Sequence, residues 1–386
     1  MAVNFLRVRV FLSALLICSG VLLNPGRAPA KDPILLGVIA GTTGLGSSYG
    51  RGIVQGAEMA VRDTNAEGGV HGHALKLLVV DDASNPARSV IAMRRLVGAN
   101  VALVVGGWGS SQVFAHMDIT ENAGIPYIVV GATHPRITAD ENRWTFRVIQ
   151  TDSVMASQLA TLITDTLQLK RIAVLNDSND YGVGNRDVFI AELAQAGMKP
   201  VEVAAYQTSD SDFGVQLRRI AAANPDSIVI FGTVPAAPKI MNQARALGIT
   251  ARFFGTGGLA NEALISLAPK ASEGTLLMTH FHPDVDAEAS AWAARFSKEF
   301  ASQTNPPHPI LAAWEYRAIR GIAVPCLRSA GHDSRNLRDC IARWKGSLFG
   351  LSKAAYFNPM GQLVQPPLAV EIQGGAYKLL REAHGK

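Results

Sequence analysis

The chain has 386 residues, more than a single hydrophobic core usually organises, and this length predicts two lobes or domains. Hydrophobic residues make up 48% of the sequence and charged residues 17%, a composition typical of a globular α/β protein and unlike that of a disordered or fibrous one. The formal net charge is +5, but residues 1–30 contain three arginines and no acid, and no basic run follows them. A nucleic-acid-binding surface is therefore not expected.

Residues 1–30 have the three parts of a secretory signal peptide. Arg7 and Arg9 give a positively charged start, 11–23 is an apolar stretch too short for a comfortable membrane span, and the small residues ending at Ala30 fit a cleavage site. We expect cleavage after Ala30 and export of the mature chain, with an uncleaved amphipathic or anchoring N-terminus as the alternative. Lipidation at Cys18 is a further alternative, disfavoured because Ile17 before it is not a small residue. Beyond residue 30 no apolar run is long enough to span a bilayer, so a soluble mature protein is expected.

Apolar strands alternate with helical patterns through the first part of the mature chain. Uninterrupted apolar strands of this kind predict a parallel sheet that is covered by helices on both faces. The expected strands are 34–40, 75–80, 102–106 and 126–130, and the expected helices are 53–65, 87–98 and 112–123. Residues 144–149 are expected to form a strand that connects this lobe to the next.

The same alternation restarts after residue 150 and predicts a second α/β lobe. Its helices are expected at 153–167, 184–197, 212–223 and 236–247, and its strands at 171–176, 200–205, 227–231, 252–255 and 274–279. Helices at 286–303, 309–329 and 335–345 follow, and short strands near 354–357 and 368–373 end the chain. The expected fold class is α/β, with an N-terminal lobe of 31–150 plus 281–350 and a C-terminal lobe of 151–280 plus 351–386.

Cys326 and Cys340 are the two cysteines that remain once Cys18 leaves with the signal peptide. An even pair in an oxidising compartment, spaced across the segment 329–334 that separates two helical patterns, predicts a disulfide that joins a helix hairpin. Two buried free thiols are the alternative. No CxxC or nearby histidine pattern suggests catalysis by either cysteine.

Two motifs that carry chemistry in other proteins lack their required context here. The glycine-rich turn 41–46 has neither the Gly-Lys-Ser/Thr ending of a P-loop nor GxGxxG spacing, so a nucleotide site is not expected. Residues 46–50 match G-x-S-x-G around Ser48, but they lie in a loop several residues past the strand, which disfavours an exported serine hydrolase.

Two histidine pairs are the remaining candidates for metal chemistry. His71 and His73 lie in a turn before a strand, and His280 and His282 lie where the chain is expected to cross between the lobes. No cysteine or third histidine follows at ligand spacing, so neither a metal nor a cofactor is expected. A ring at the crossing could touch a ligand, but structural roles are favoured for all four.

Two strand-to-helix turns carry the strongest chemical signal. In 104–112 a strand ends in Gly-Gly-Trp-Gly-Ser-Ser, and in 129–135 the next strand ends in Gly-Ala-Thr-His-Pro. Ser and Thr at helix starts supply hydroxyls, and the first N–H groups of a helix are free to bind an anion. Adjacent turns of this kind predict a pocket for one carboxylate, at the cleft edge where open α/β sheets bind ligands.

These turns belong to a set of landmarks that resembles the branched-chain amino-acid (leucine/isoleucine/valine) binding family of ABC-transporter substrate-binding proteins, over essentially the whole mature chain. The resemblance implies the type I periplasmic-binding fold, in which two Rossmann-like lobes with parallel sheets are joined by a three-strand hinge. The three crossings that form this hinge are expected near 149–152, 278–281 and 350–354. The landmarks are Ser48-Tyr49-Gly50, Gly56-Ala57-Glu58, 65–69, Asp81-Asp82, Gly109-Ser110-Ser111, Gly131-Ala132-Thr133, 180–184, 213–218 and 254–258.

The resemblance also implies how the protein works and what it binds. It implies a periplasmic protein with no catalytic step, whose partners are a small-molecule ligand and the membrane permease subunits of an ABC importer, with a monomer as the default state. Ser110 and Thr133 match positions that hold a carboxylate, and Tyr49 and Tyr181 match positions that close over the ligand. The expected ligand-binding residues are Tyr49, Trp108, Ser110, Ser111, Gly131, Ala132, Thr133, Tyr181, Thr233 and Gly257.

Gly257 and Thr233 depart from the family pattern. The resemblance implies an acidic residue at position 257, which pairs with a ligand ammonium, and an aromatic residue at position 233. A buried ammonium without a carboxylate partner keeps a desolvation cost of several kcal/mol. We therefore expect a non-amino organic acid, including aromatic acids that could stack near Trp108, or a small amide. An amino acid paired with a differently placed acid, such as Asp180 or Asp210, is the alternative.

Overall fold

The structure is a computed structural model, which describes Met1, 31–139, 143–302, 308–351 and 354–380. Apart from Met1, the expected signal peptide lies outside these described residues. Within them, no helix combines the length and the apolar character that crossing a bilayer requires.

The first lobe contains a five-stranded parallel sheet with helices against it. Its elements are β1 (Lys31–Ala40), α1 (Ser47–Ala66), β2 (His73–Asp81), α2 (Pro86–Gly98), β3 (Leu103–Gly106), α3 (Ser110–Ala123), β4 (Tyr127–Val129) and β5 (Thr145–Arg147). The strand order is β2-β1-β3-β4-β5. Every side chain of β3 and β4 is buried, as expected for strands covered on both faces.

The second lobe repeats this plan. Its elements are α4 (Asp152–Thr161), β6 (Ile172–Asp177), α5 (Asp180–Gln195), β7 (Glu202–Tyr206), α6 (Gly214–Ala222), β8 (Ser227–Phe231), α7 (Ala237–Ala246), β9 (Arg252–Gly255), α8 (Glu262–Leu267) and β10 (Leu276–Thr279). Strands β6 to β10 pair with one another in parallel. The parallel sheets of both lobes confirm the expected α/β fold class.

The chain then returns to the first lobe before it completes the second sheet. The returning elements are α9 (Ala287–Phe300), α10 (Pro309–Arg317), α11 (Val324–Ala330), α12 (Ser334–Ala342), β11 (Lys345–Gly346), β12 (Ala355–Phe357) and β13 (Leu363–Val364), followed by β14 (Leu368–Gln373) and β15 (Ala376–Leu379). The second sheet has the order β15-β14-β10-β9-β8-β6-β7, with β14 and β15 antiparallel at its edge. A disulfide between Cys326 and Cys340 joins α11 to α12.

Two glycines of α1 allow α10 to pack against it closely. A Cβ atom at Gly56 would lie 2.3 Å from the carbonyl oxygen of Ala312, and one at Gly52 would lie 2.7 Å from that of His308. Both neighbours are backbone atoms, which cannot move aside without shifting the helix. These glycines therefore set the position of the N-terminus of α10, where His308 lies.

Three segments join the lobes, and one of them differs from our expectation. They are 148–151 between β5 and α4, 280–286 between β10 and α9, and 365–367 between β13 and β14. The third was expected near 350–354, which is wrong, because β12 and β13 pair with β11 and Gln362 bridges to Arg147 at the edge of the first sheet. Residues 355–364 thus contact the first lobe, although the expected boundary assigned them to the C-terminal lobe.

Candidate ligand-binding site

A cavity of about 220 Å³ lies between the lobes, at the carboxyl ends of both parallel sheets. This volume is below the usual range for drug-sized ligands, so the cavity suits a small molecule. Its lining residues are Leu45, Tyr49, Ser84, Pro86, Trp108, Gly109, Ser110, Ser111, Gln112, Gly131, Thr133, Asn179, Tyr181, Thr208, Thr233, Gly257, Gly258, His280, His308, Ile310 and Leu311.

The structure brings together all the expected ligand-binding residues except Ala132. The Ala132 side chain is buried in the core of the first lobe and does not line the cavity. In the turn after β4, Gly131 and Thr133 face the cavity, whereas Ala132 between them faces the core. The sequence did not distinguish these orientations, because all three residues lie in the same loop.

Hydrogen-bond donors converge where β3 and β4 end. Ser110 is the first residue of α3, and Gly109 at the N-cap offers no side chain to the free N–H groups of the helix. Thr133 Oγ1 is buried in the lining, next to the carboxyl group of Asp152. Ser110 Oγ accepts from the backbone N–H of His134 at 3.3 Å, which leaves its own proton available to a ligand. These groups can bind one carboxylate.

Aromatic rings form one wall of the cavity. The rings of Tyr49 and Trp108 are stacked, with centroids 4.9 Å apart and planes 3° from parallel. The His308 ring also lies next to the Tyr49 ring, with the two centroids 5.0 Å apart and the planes tilted by 45°. This wall offers a flat apolar surface to the ligand.

Tyr49 also ties the two lobes together. Its hydroxyl donates to the carbonyl oxygen of Gly258 at 2.7 Å and accepts from the N–H of Val234 at 3.1 Å, both in the second lobe. At the rim, Ser111 Oγ donates to Asp180 Oδ2 at 2.5 Å, again across the cleft. The structure therefore represents a closed arrangement of the lobes.

Tyr181 differs from Tyr49 in that its hydroxyl bonds only within its own lobe. It lies 2.9 Å from Thr256 Oγ1 and accepts from the N–H of Gly258 at 2.9 Å. These bonds fix the turn after β9, in which Gly257 lies. Tyr181 shapes the cavity from the second lobe, whereas Tyr49 contacts both lobes.

The space beside Gly257 is occupied by a histidine. A Cβ atom at Gly257 would lie 2.4 Å from Nε2 of His280. The other ring nitrogen, Nδ1, lies 2.6 Å from Oε1 of Gln150 in the first interlobe segment. Burial lowers the pKa of His280 to about 3, so its ring is neutral at ordinary pH.

His308 is the second histidine of the lining. Its Nδ1 accepts from the backbone N–H of Leu311 at 3.2 Å and caps α10. Its Nε2 is buried without a hydrogen-bond partner among the described residues. Burial lowers the pKa of His308 to about 4, so this ring is neutral as well.

The described lining of the cavity contains no Asp, Glu, Lys or Arg. Asp180 and Asp210, the two acids considered from the sequence, lie outside it: Asp180 is exposed and bonds to Ser111, and Asp210 accepts from the N–H of Gln207 in a turn. The cavity is therefore polar but formally uncharged.

Asp152 is a buried acid behind Thr133, outside the lining. Burial raises its pKa from 3.8 to about 7, an effect that neighbouring Thr133, Asn185 and Arg147 only partly offset. Below that pH the carboxyl group is mostly protonated. It then adds no negative charge next to the proposed carboxylate pocket.

Other chemistry considered from the sequence finds no support in the described part of the chain. There, no three His, Cys, Asp or Glu side chains group as metal ligands would. Ser48 Oγ accepts from Asn261 at 3.2 Å, across the cleft, and no acid–histidine pair is bonded to it within the described ranges. Ser48 thus contributes to the contact between the lobes.

Several lining residues were missed by sequence reasoning. His280 was noted at an interlobe crossing but assigned a structural role, and His308 was not considered, because it lies far along the chain at a helix start that no ligand motif marks. A cap signal was available, since the His-Pro pair 308–309 opens a helical pattern. This pair predicts a helix start at 308–309, but it does not indicate that the His308 ring also lines a cavity.

Comparison with known proteins agrees with this architecture. The model of the family described as periplasmic binding protein matches residues 33–336, so the chain belongs to that family. A leucine-specific-binding protein of Salmonella typhimurium is 28% identical over 332 residues, which cover 86% of this chain and 89% of the relative. A leucine-, isoleucine-, valine-, threonine- and alanine-binding protein of Pseudomonas aeruginosa is 30% identical over 314 residues, covering 81% and 83%.

Solved structures share the fold. A leucine-binding protein from Thermotoga maritima matches with a TM-score of 0.81 at 24% identity, covering 90% of this chain and 97% of that one. A solute-binding protein from R. palustris in complex with benzoate matches with a TM-score of 0.81 at 21% identity, covering 90% and 95%. The resemblance to ABC-transporter substrate-binding proteins with a type I periplasmic-binding fold is confirmed. Such proteins bind solutes and are not enzymes.

Replacing Tyr49 by Phe should weaken lobe closure. The substitution leaves the N–H of Val234 and the carbonyl of Gly258 without their partner across the cleft, at a cost of about 2 kcal/mol, or roughly 30-fold in the closed-to-open ratio. Small-angle scattering of the ligand-saturated variant should give a larger radius of gyration than the wild type. Tyr181→Phe, which loses bonds within one lobe only, is the control and should close normally; equal closure of both variants would contradict the role given to Tyr49.

Asp152 should make stability fall as pH rises. Its pKa is 3.8 in the unfolded chain and about 7 when folded, so between these values the folded state holds a proton that the unfolded state has lost. The free energy of unfolding then decreases with pH by up to about 1.4 kcal/mol per unit. Urea unfolding from about pH 4 to pH 8 should show a shallower decrease for Asp152→Asn, whereas Asp118→Asn, an exposed acid, should follow the wild type. An unchanged slope in Asp152→Asn would show that this carboxyl is not the cause.

Proposed function

We propose that this protein is the extracytoplasmic solute-binding component of an ABC importer, and that it captures a small carboxylate-bearing solute without an amino group. The two lobes close on the ligand, and the closed form delivers it to the membrane permease. Non-amino organic acids, including aromatic acids, are the ligand classes that fit this proposal; a small amide, whose carbonyl oxygen would accept from the same donors, is the alternative.

The observation that carries the proposal is the pairing of Gly257 with His280. At the position where the resemblance implies an acid, the chain has a glycine, and Nε2 of His280 lies 2.4 Å from the site of the missing Cβ. An acidic side chain at 257 would require the histidine ring to move. The neutral ring offers no negative charge in exchange.

The charge of the lining points to the same ligand class. A carboxylate at Ser110 and Thr133 meets the Ser110 hydroxyl, whose proton is free, the buried Thr133 hydroxyl and the N-terminus of α3, which together stabilise a negative charge. An ammonium would find no acidic side chain in the described lining. Its desolvation cost would therefore remain uncompensated.

An amino-acid ligand is the second candidate, and the names of the curated relatives favour it. The lining of the described cavity disfavours an amino-acid ligand, because it contains neither Asp180 nor Asp210. The benzoate complex of the R. palustris protein is an instance of the same fold holding a carboxylate that has no ammonium. We therefore favour a non-amino organic acid as the ligand.

Titration calorimetry with matched ligand pairs tests the proposal. Each pair shares a carbon skeleton: leucine against 4-methyl-2-oxopentanoate and 2-hydroxy-4-methylpentanoate, and phenylalanine against 3-phenylpropanoate, with benzoate added. We expect the tightest ligand to be a non-amino acid, bound at least tenfold tighter than its amino partner. Tighter binding of leucine than of both its analogues would contradict the proposed ligand class and leave the transport role intact.

A double variant identifies where the carboxylate binds. Ser110→Ala with Thr133→Val removes both hydroxyls and should weaken binding of the best acid at least 100-fold, because each lost charge-assisted hydrogen bond costs about 1.5–3 kcal/mol. Ser266→Ala, an exposed helix serine outside the cavity, is the matched control. Unchanged affinity in the double variant would place the anion site elsewhere.

A further inference from the structure

His280 has a tautomer that the interlobe segments impose. Gln150 Nε2 donates to the carbonyl oxygen of Pro366 at 2.7 Å, and a carbonyl can only accept, so this orientation of the amide is fixed. Gln150 Oε1 therefore faces Nδ1 of His280, and Nδ1 must carry the proton. The neutral ring then presents an unprotonated Nε2, a hydrogen-bond acceptor, beside Gly257.

His308 has the opposite tautomer for an equally rigid reason. Its Nδ1 accepts from the backbone N–H of Leu311, which can only donate, so Nδ1 carries no proton. The neutral ring must carry its proton on Nε2. That N–H is buried without a partner among the described residues, in a side chain that is only 2% exposed.

The cavity thus holds one fixed acceptor and one fixed donor, both uncharged. An ammonium could donate to His280 but could not accept from His308. A second carboxylate could accept from His308 but would set its negative charge against the lone pair of His280. A methyl group would leave both histidines unsatisfied, and an unsatisfied buried polar group is costly.

We infer that the ligand carries, besides its carboxylate, an uncharged group that both accepts and donates hydrogen bonds, a hydroxyl or a primary amide, which donates to His280 Nε2 and accepts from His308 Nε2. This inference rests on the proposed function, since it assumes a carboxylate held at Ser110 and Thr133. It makes the two histidines the residues that determine which small acids are bound.

Calorimetry with acids that differ in one group measures this preference. The probes are 3- and 4-hydroxybenzoate against 3- and 4-methylbenzoate, and 4-hydroxybutanoate and succinamate against pentanoate. We expect at least one hydroxyl or amide acid to bind tenfold or more tightly than its methyl-ended match. Equal affinities across every pair would overturn the inference, because a bridging water would then satisfy the histidines.

Two variants assign the preference to the histidines. His308→Asn keeps a side-chain oxygen to cap α10 and loses the ring N–H; His280→Asn keeps an N–H for Gln150 and loses the ring acceptor. Each should reduce the preference for the hydroxyl or amide acid to less than threefold, where the preference is the ratio of the two affinities measured on the same variant. His332→Asn, an exposed ring, is the control and should keep the wild-type preference.

The outcomes separate this inference from the proposed function. If the methyl-ended acids bind and need Ser110 and Thr133, but no preference depends on the histidines, the inference fails and the proposed function stands. If none of the acids binds, both fail.

The NMR chemical shifts of the imidazole nitrogens in the wild-type protein give a second test that needs no variant. A protonated Nε2 in His280 or a protonated Nδ1 in His308 would overturn the inference.

Discussion

The amide of Gln150 joins the three segments on which the relation between the lobes depends. Gln150 itself lies in the first segment, its oxygen accepts from His280 in the second, and its nitrogen donates to Pro366 in the third. The side chain is buried, and a buried amide with either end unpaired would be costly, so the three segments are held in one register. Gln365 adds a bond from the third segment to the carbonyl of Val148 in the first.

This arrangement couples the hinge to the ligand cavity through one ring. Because Gln150 holds Nδ1 of His280, the ring stands where a side chain at 257 would otherwise project, and Gly257 is the residue that leaves room for it. A histidine at 280 in this orientation and an acid at 257 exclude each other sterically. The glycine at 257, where the resemblance implies an acid, and the neutral acceptor at 280 are therefore two parts of one structural feature.

Much of this architecture follows from local sequence patterns, and the exceptions have physical reasons. Buried parallel strands are apolar throughout, so their positions were predicted, and Ser110 and Thr133 were identified because they follow two of these strands directly. The third interlobe segment was misplaced because β12 is only three residues long, and its pattern does not show which sheet it joins. His308 was missed because its approach to the cavity depends on the packing of α10 against Gly52, a contact between distant parts of the chain.

A crystal structure of the protein with its tightest-binding acid tests the central claim most directly, namely that an uncharged cavity holds a carboxylate without an ammonium partner. The account predicts the ligand carboxylate within hydrogen-bond distance of Ser110 and Thr133, with the His280 ring still beside Gly257. A ligand carboxylate bound elsewhere, or a ligand cation paired with an acidic side chain that has moved into the cavity, would contradict it.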